Sequence, residues 1–110
     1  MNALEAIQFQ DKIIDEVLRK TYDPEIPVNI YELGLIYEVK IDPAEGLAHV
    51  KMTLTAPGCP AAISLPGEVE DKIRRLNHPE IKDVKVEVVW DPPWDPSKMS
   101  EAARLQLGMF

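Results

Sequence analysis

The stretch LIYEVKIDPAEGLAHVKM, Leu35 to Met52, decides the fold. Leu35, Tyr37, Val39 and Ile41 alternate with Ile36, Glu38 and Lys40, which is the period of a half-buried strand. Ala48, Val50, Met52 and Leu54 alternate with His49, Lys51 and Thr53 in the same manner. Between the two runs, Asp42-Pro43-Ala44-Glu45-Gly46 is a turn cluster of hairpin length. A hairpin with one apolar face needs a second layer, and the flanking segments are the ones available to form it.

Upstream, Leu4, Ile7, Ile14, Val17 and Leu18 recur near helical spacing from Leu4 to Lys20, with Ile13 widening the stripe. Asn2 suits the N-cap, and Glu5 falls in the first turn, where the helix dipole favours an acid. Tyr22-Asp23-Pro24 stops the helix, because a residue before proline is pushed out of the α region. Asp23 to Leu33 reads DPEIPVNIYEL, a loop without a period but with Ile26, Val28 and Ile30 as apolar anchors.

Downstream, Ala56-Pro57-Gly58 breaks the returning strand, and Ala62, Leu65, Val69, Ile73 and Leu76 then keep helical phase. Pro66 interrupts that run at ~3 kcal/mol in a regular helix interior. The unbroken phase favours one helix kinked at Pro66 over a helix that starts near it. Asn77-His78-Pro79 ends the run, and Val84, Val86, Val88 and Trp90 alternate with Lys85 and Glu87 as a third strand. Asp91 to Pro96 is too rich in proline to pair within a sheet. A short last helix starts at Ser100 as N-cap, with Glu101 in its first turn and Gly108 at its end. The predicted order is α-β-β-α-β-α in a single domain over residues 1–110. The expected class is α+β, two layers, with helices on a three-stranded mixed or antiparallel sheet.

A chain of 110 residues supports one modest core, and 45% hydrophobic with 28% charged residues is an ordinary globular composition. The net charge of −7 opposes approach to phosphate backbones and anionic lipid. The densest basic spot, Lys72, Arg74 and Arg75, lies among Glu68, Glu70 and Asp71 and reads as a solvated helix face. Nucleic acid and membrane are therefore not expected as partners; a protein or a small ligand is. No apolar run approaches the ~20 residues that span a bilayer, and Met1 to Gln10 carries no basic residue of a secretory signal. A single cysteine forms no internal disulfide. The expected location is the cytoplasm.

Chemistry concentrates in Thr53-Leu54-Thr55-Ala56-Pro57-Gly58-Cys59-Pro60, a thiol at a strand-to-helix junction. With Pro60 at the first helical position, Cys59 falls at the N-cap, facing free backbone N–H groups that favour the thiolate. Helix N-caps also hold inert cysteines, so the residues by themselves support a functional and a structural thiol evenly. Asp23 and Glu25 sit at a spacing that turns both carboxylates to one side of an extended segment. Their plainer reading is a turn cap and a solvated acid. His49 and His78 lack a partner at H-x-x-x-H spacing and read as surface residues. Tyr31, Tyr37, Trp90 and Trp94 read as core and edge packing. There is no Ser/His/Asp arrangement, no glycine-rich phosphate loop and no cysteine pair. An iron–sulfur cluster takes about four protein ligands, so any cluster here is shared between subunits or completed by outside thiols. That arithmetic excludes a conventional electron-transfer ferredoxin.

Three runs together resemble the SufT/PaaD-like iron–sulfur cluster assembly family: DPEIPVNIYELGLIYEV (Asp23 to Val39), MTLTAPGCP (Met52 to Pro60) and WDPPWDPSKMSEAARLQLGMF (Trp90 to Phe110). The tail leans towards SufT-type members, since PaaD-type chains end in a cysteine-bearing extension that is absent here. The resemblance implies a non-enzymatic accessory factor for cluster assembly or transfer, whose partners are the assembly machinery and apo-client proteins. It implies that Cys59 is the functional thiol and a ligand for iron or a transient cluster, with no stably bound cofactor. Asp23, Glu25, Leu33, Thr55 and the position of Ala56 would gather round that thiol, Asp23 and Glu25 orienting it and Thr55 hydrogen-bonding it. Many relatives carry a hydroxyl residue where this chain has Ala56. Two rival readings are a thiol enzyme with Cys59 as nucleophile, which lacks a positioned general base, and a PaaD-type helper subunit of a multicomponent oxygenase. Ile36 and Val89 fall on the polar-side phase of their strands, and Trp94 has little core of its own to join. Those three predict an apolar patch that a two-fold homodimer would hide.

Overall fold

The computed structural model describes residues 1–24, 26–55 and 63–108. Helix α1 runs Ala3–Glu16 and opens on the expected cap. The Asn2 side chain accepts from the Glu5 N–H at 2.8 Å, and Glu5 Oε1 accepts from the Asn2 N–H at 3.2 Å, a reciprocal capping box. The α-helix closes at Val17, and a 3₁₀ turn, Leu18–Lys20, carries the chain onward. Strands β1 (Ile36–Asp42) and β2 (Leu47–Met52) form the predicted antiparallel hairpin. Helix α2 (Leu65–Arg74) then crosses to β3 (Asp83–Val88), which lies parallel to β2. A parallel neighbour requires such a crossover, because a tight turn reverses the chain. The sheet is mixed, in the order β1-β2-β3. A 3₁₀ turn, Pro96–Lys98, and helix α3 (Glu101–Gln106) complete the described chain, with Ser100 capping α3 and Gly108 at φ +71° after it. The α+β class and the order α-β-β-α-β-α hold.

Both long helices cover one sheet face. Phe9 and Ile13 of α1, with Leu65, Val69 and Ile73 of α2, share a core with Ala48, Val50 and Met52 of β2. The edge strands each have a carbonyl engaged by a helix side chain. Gln10 donates to Val39 on β1, and Arg74 donates to Val84 on β3 at 3.0 Å.

Three expectations change. Leu4 and Ile7 are 62% and 53% exposed, while Phe9, outside the predicted stripe, is buried. The buried face of α1 therefore belongs to its C-terminal half. Helix α2 begins at Leu65, with Ser64 as N-cap and Pro66 in its first turn, while residues 56–62, which a helix kinked at Pro66 would draw on, lie outside the described residues. In that first turn no N–H donor is needed, so the penalty of an interior proline does not arise. Ile36 packs against the core rather than on the polar side. The register steps from Ile36↔Met52 to Glu38↔Lys51, so Tyr37 is the extra residue of a β-bulge. A bulge flips the phase of the strand, which puts Ile36 on the same face as Val39 and Ile41. Trp94 also joins the core, and its indole N–H donates to the Leu33 carbonyl at 2.8 Å. Two of the three residues expected to form a self-association patch are thus taken up internally. The third, Val89, is half-buried and donates its N–H to Met52 at 2.8 Å.

Candidate functional site

The non-periodic segment between α1 and β1 is tied down by backbone and side-chain hydrogen bonds. Its base closes where the Ile30 N–H donates to the Thr21 carbonyl at 2.8 Å and where Tyr22 and Asn29 form an antiparallel bridge. Asp23 sits just inside this neck, 3% exposed, and its Oδ1 accepts from the Ile26 N–H at 3.1 Å. The expected turn cap at Asp23 is therefore present, and it is buried. Beyond the neck, Val28 and Ile30 anchor the loop in the core, as their apolar character predicts, together with Leu33 and Leu35. Asn29 Oδ1 accepts from the Glu32 N–H at 2.9 Å and shapes the turn that follows.

The same loop is joined to the strand that leads to the thiol segment. Thr53, fully buried, donates its N–H to the Leu35 carbonyl at 2.8 Å, and the half-buried Thr55 follows. Glu25, Ala56 and Cys59 lie outside the described residues, as does the expected placement of Cys59 at a helix N-cap. Of the predicted site residues, Asp23 and Thr55 are thus described, each on a segment held to the same core, and Leu33 is part of that core.

Sequence reasoning missed two residues at the base of the loop. The Thr21 hydroxyl, wholly buried, donates to the Val17 carbonyl at 2.8 Å and accepts from Lys72 Nζ at 3.1 Å. Lys72 also meets Glu68 at 2.8 Å, one of the acids whose interleaving with Lys72, Arg74 and Arg75 reads as a solvated face. The signal available in the sequence was position alone: Lys72 stands beside the buried Val69 and Ile73 of α2. On the other flank, Glu32 pairs with Arg19 and accepts from Ser100. The Ser100 hydrogen bond first, and the Arg19 guanidinium after it, hold the Glu32 carboxyl below its ordinary value. Arg19 in turn lies 4.5 Å from the Tyr31 ring centroid.

The histidines are half-buried and partnered rather than free on the surface. His49 Nε2 lies 3.1 Å from Glu87 Oε1, and the His78 ring stands 4.8 Å from that of Phe9. A hollow of about 130 Å³ beside Phe9 and His78 opens at the C-terminal end of α2, and no residue of the acidic loop lines it. Among the described residues, no group of three or more His, Cys, Asp and Glu side chains is arranged to hold a metal ion. Among them, too, no helix is long and apolar enough to cross a membrane.

The chain is a small α+β domain with one cysteine and a buried Asp23, and residues 11–88 match the family described as iron–sulfur cluster assembly protein. The chain belongs to that family. It is 45% identical over 106 residues to the Fe-S protein maturation auxiliary factor of Porphyromonas gingivalis, covering 96% of this chain and 97% of that one. It is 41% identical over 87 residues to the Fe-S protein maturation auxiliary factor SufT of Staphylococcus aureus, covering 79% and 96%. The crystal structure of a domain of unknown function from Bacillus anthracis superposes with a TM-score of 0.82 at 38% identity, over 99% of this chain and all of the other. The SufT-type resemblance read from the three sequence runs is thereby borne out.

Proposed function

We propose that this protein is a cytoplasmic accessory factor that helps deliver iron–sulfur clusters to apo-client proteins, and that it does so without being an enzyme. The observation that carries this reading is the end-to-end likeness to a named maturation auxiliary factor, with 96% and 97% of the two chains aligned. Cys59 is the working thiol. It is the only cysteine of the chain, and a thiolate is the form that binds soft metal. The cluster is cargo. One thiolate supplies about a quarter of the ligands a cluster takes, so contact is transient or completed by a second copy or by thiols of the donor and client.

Asp23 and Glu25 orient or polarise the thiol, and Thr55 hydrogen-bonds it. The burial of Asp23 supports this, since a carboxylate withdrawn from bulk water acts on its neighbours through a lower dielectric. The partners are the assembly machinery and its apo-clients, with a homodimer as the form in which two chains would pool their thiols.

The test is a cell lacking its own copy of the protein, supplied with the wild type or with Cys59→Ser. The serine variant is expected to fold normally, with an unchanged melting curve, and to leave aconitase-type activity at the level of the deletion. Full restoration by the serine variant would mean that the thiol is not the working group.

A further inference from the structure

Lys72 has no place in the reading above, yet it makes the contact that joins the base of the acidic loop to α2. Its ammonium group reaches the Thr21 hydroxyl at 3.1 Å. That hydroxyl is wholly buried and is already donating to the Val17 carbonyl at 2.8 Å, so its lone pairs face the incoming donor. One hydroxyl thereby connects the end of α1, the neck of the loop and the second half of α2. Thr21 is also the residue whose carbonyl closes the neck on Ile30, and Tyr22 bridges to Asn29 immediately inside it. Asp23 is next in the chain. The helix that Lys72 belongs to starts at Leu65, directly downstream of the segment that holds Cys59.

We infer that Lys72 is a positioning residue, which fixes the neck of the loop that carries Asp23 against α2 and so holds that carboxylate for the role proposed above. The inference rests on the assignment of Cys59 and the two acids made above. Its chemistry is a charge-assisted hydrogen bond to a buried oxygen. Such a bond differs from the Lys72–Glu68 pair, whose partners are 35% and 43% exposed and which is screened like any surface pair. Loss of Lys72 would leave the buried Thr21 oxygen its bond to Val17 but no donor to its lone pairs, whereas loss of Glu68 alone would leave the Lys72–Thr21 contact in place.

The experiment compares wild type with Lys72→Met, Lys72→Arg and Glu68→Gln in the full chain. Amide hydrogen exchange is read separately at the loop (Asp23, Ile26, Ile30) and at the sheet (Val50, Met52), beside aconitase-type activity in the deleted cell. The expected result for Lys72→Met is exchange about tenfold faster in the loop and unchanged in the sheet, with a several-fold fall in activity. Lys72→Arg should recover both readouts in large part, and Glu68→Gln should alter neither. Equal acceleration in loop and sheet would make Lys72 a general stabiliser and overturn the inference. So would a loosened loop with full activity, or an unchanged loop. Cys59→Ser is carried in parallel. If it keeps activity, the thiol reading fails, and the loop-specific exchange and the arginine rescue still decide whether Lys72 positions the loop.

Discussion

The hairpin of β1 and β2 and the loop from Thr21 to Gly34 are buried to a similar depth by different means. In the hairpin, burial follows a period. Ala48, Val50 and Met52 are inside, while His49 and Lys51 are partly open. In the loop no period exists, yet Val28, Ile30 and Leu33 are as deeply buried as any strand residue. The hairpin satisfies its backbone by a ladder. The loop satisfies its own by a neck, an aspartate turn and an asparagine turn, each drawing on a specific side chain. A strand tolerates any residue of the right polarity, whereas this loop depends on individual ones. In this molecule the two acids proposed to work on a thiol come from the second kind of structure.

The widest effect that would sharpen this contrast is a large-to-small change in the loop. Leu33→Ala should destabilise by about 2–5 kcal/mol, as large as a truncation in the sheet, because the residue is wholly buried. Chemical denaturation measures it, and a loss below that of an exposed substitution would show the loop to be superficial. Next are the two glycines. Gly34 has φ +83°, and a Cβ there would stand 2.2 Å from the Lys98 carbonyl oxygen. Gly34→Ala should therefore cost about 1–3 kcal/mol or more. Gly67 in α2 has open space around it, so Gly67→Ala should stabilise by roughly 0.4–1 kcal/mol. Melting curves of the pair should move in opposite directions.

The smallest expected effect is on pH. The folded-state value of Glu32 is depressed below 4.5, so its stabilisation is present above that value and is lost as pH falls through the folded one. Glu32→Gln should flatten the acid side of a plot of melting temperature against pH and leave the neutral side nearly level. An acid limb identical to that of the wild type would remove Glu32 from the acid response of the loop.

The element order was legible because each element carries its own signal: a cap at Asn2 and at Ser100, a turn cluster at Asp42, alternation in three strands. What the sequence withheld depends on neighbours. Alternation reports that one face is buried, but not that an extra residue at Tyr37 reverses which one. Helical spacing reports a stripe, but not that Leu4 and Ile7 in the first turns of α1 are left in water. Trp94 looked stranded among prolines because the Leu33 carbonyl that receives its N–H lies far off along the chain. At the candidate site, Asp23 could be singled out by its place after a helix and before a proline. Thr21 and Lys72 could not, since neither spacing nor composition links a threonine at a helix end to a lysine on a distant one.

The two engaged carbonyls on the outer strands have a consequence for how the protein keeps company with itself. A small sheet has two open margins, each a template on which a second chain can lay a strand. Gln10 and Arg74 engage those strands at Val39, in the middle of β1, and at Val84, at the start of β3. A factor that meets apo-client proteins, as proposed above, would gain from this, because margins already engaged do not zip onto a stranger's unpaired backbone. Selection at these two positions would then be felt in solubility and shelf life rather than in turnover of cargo.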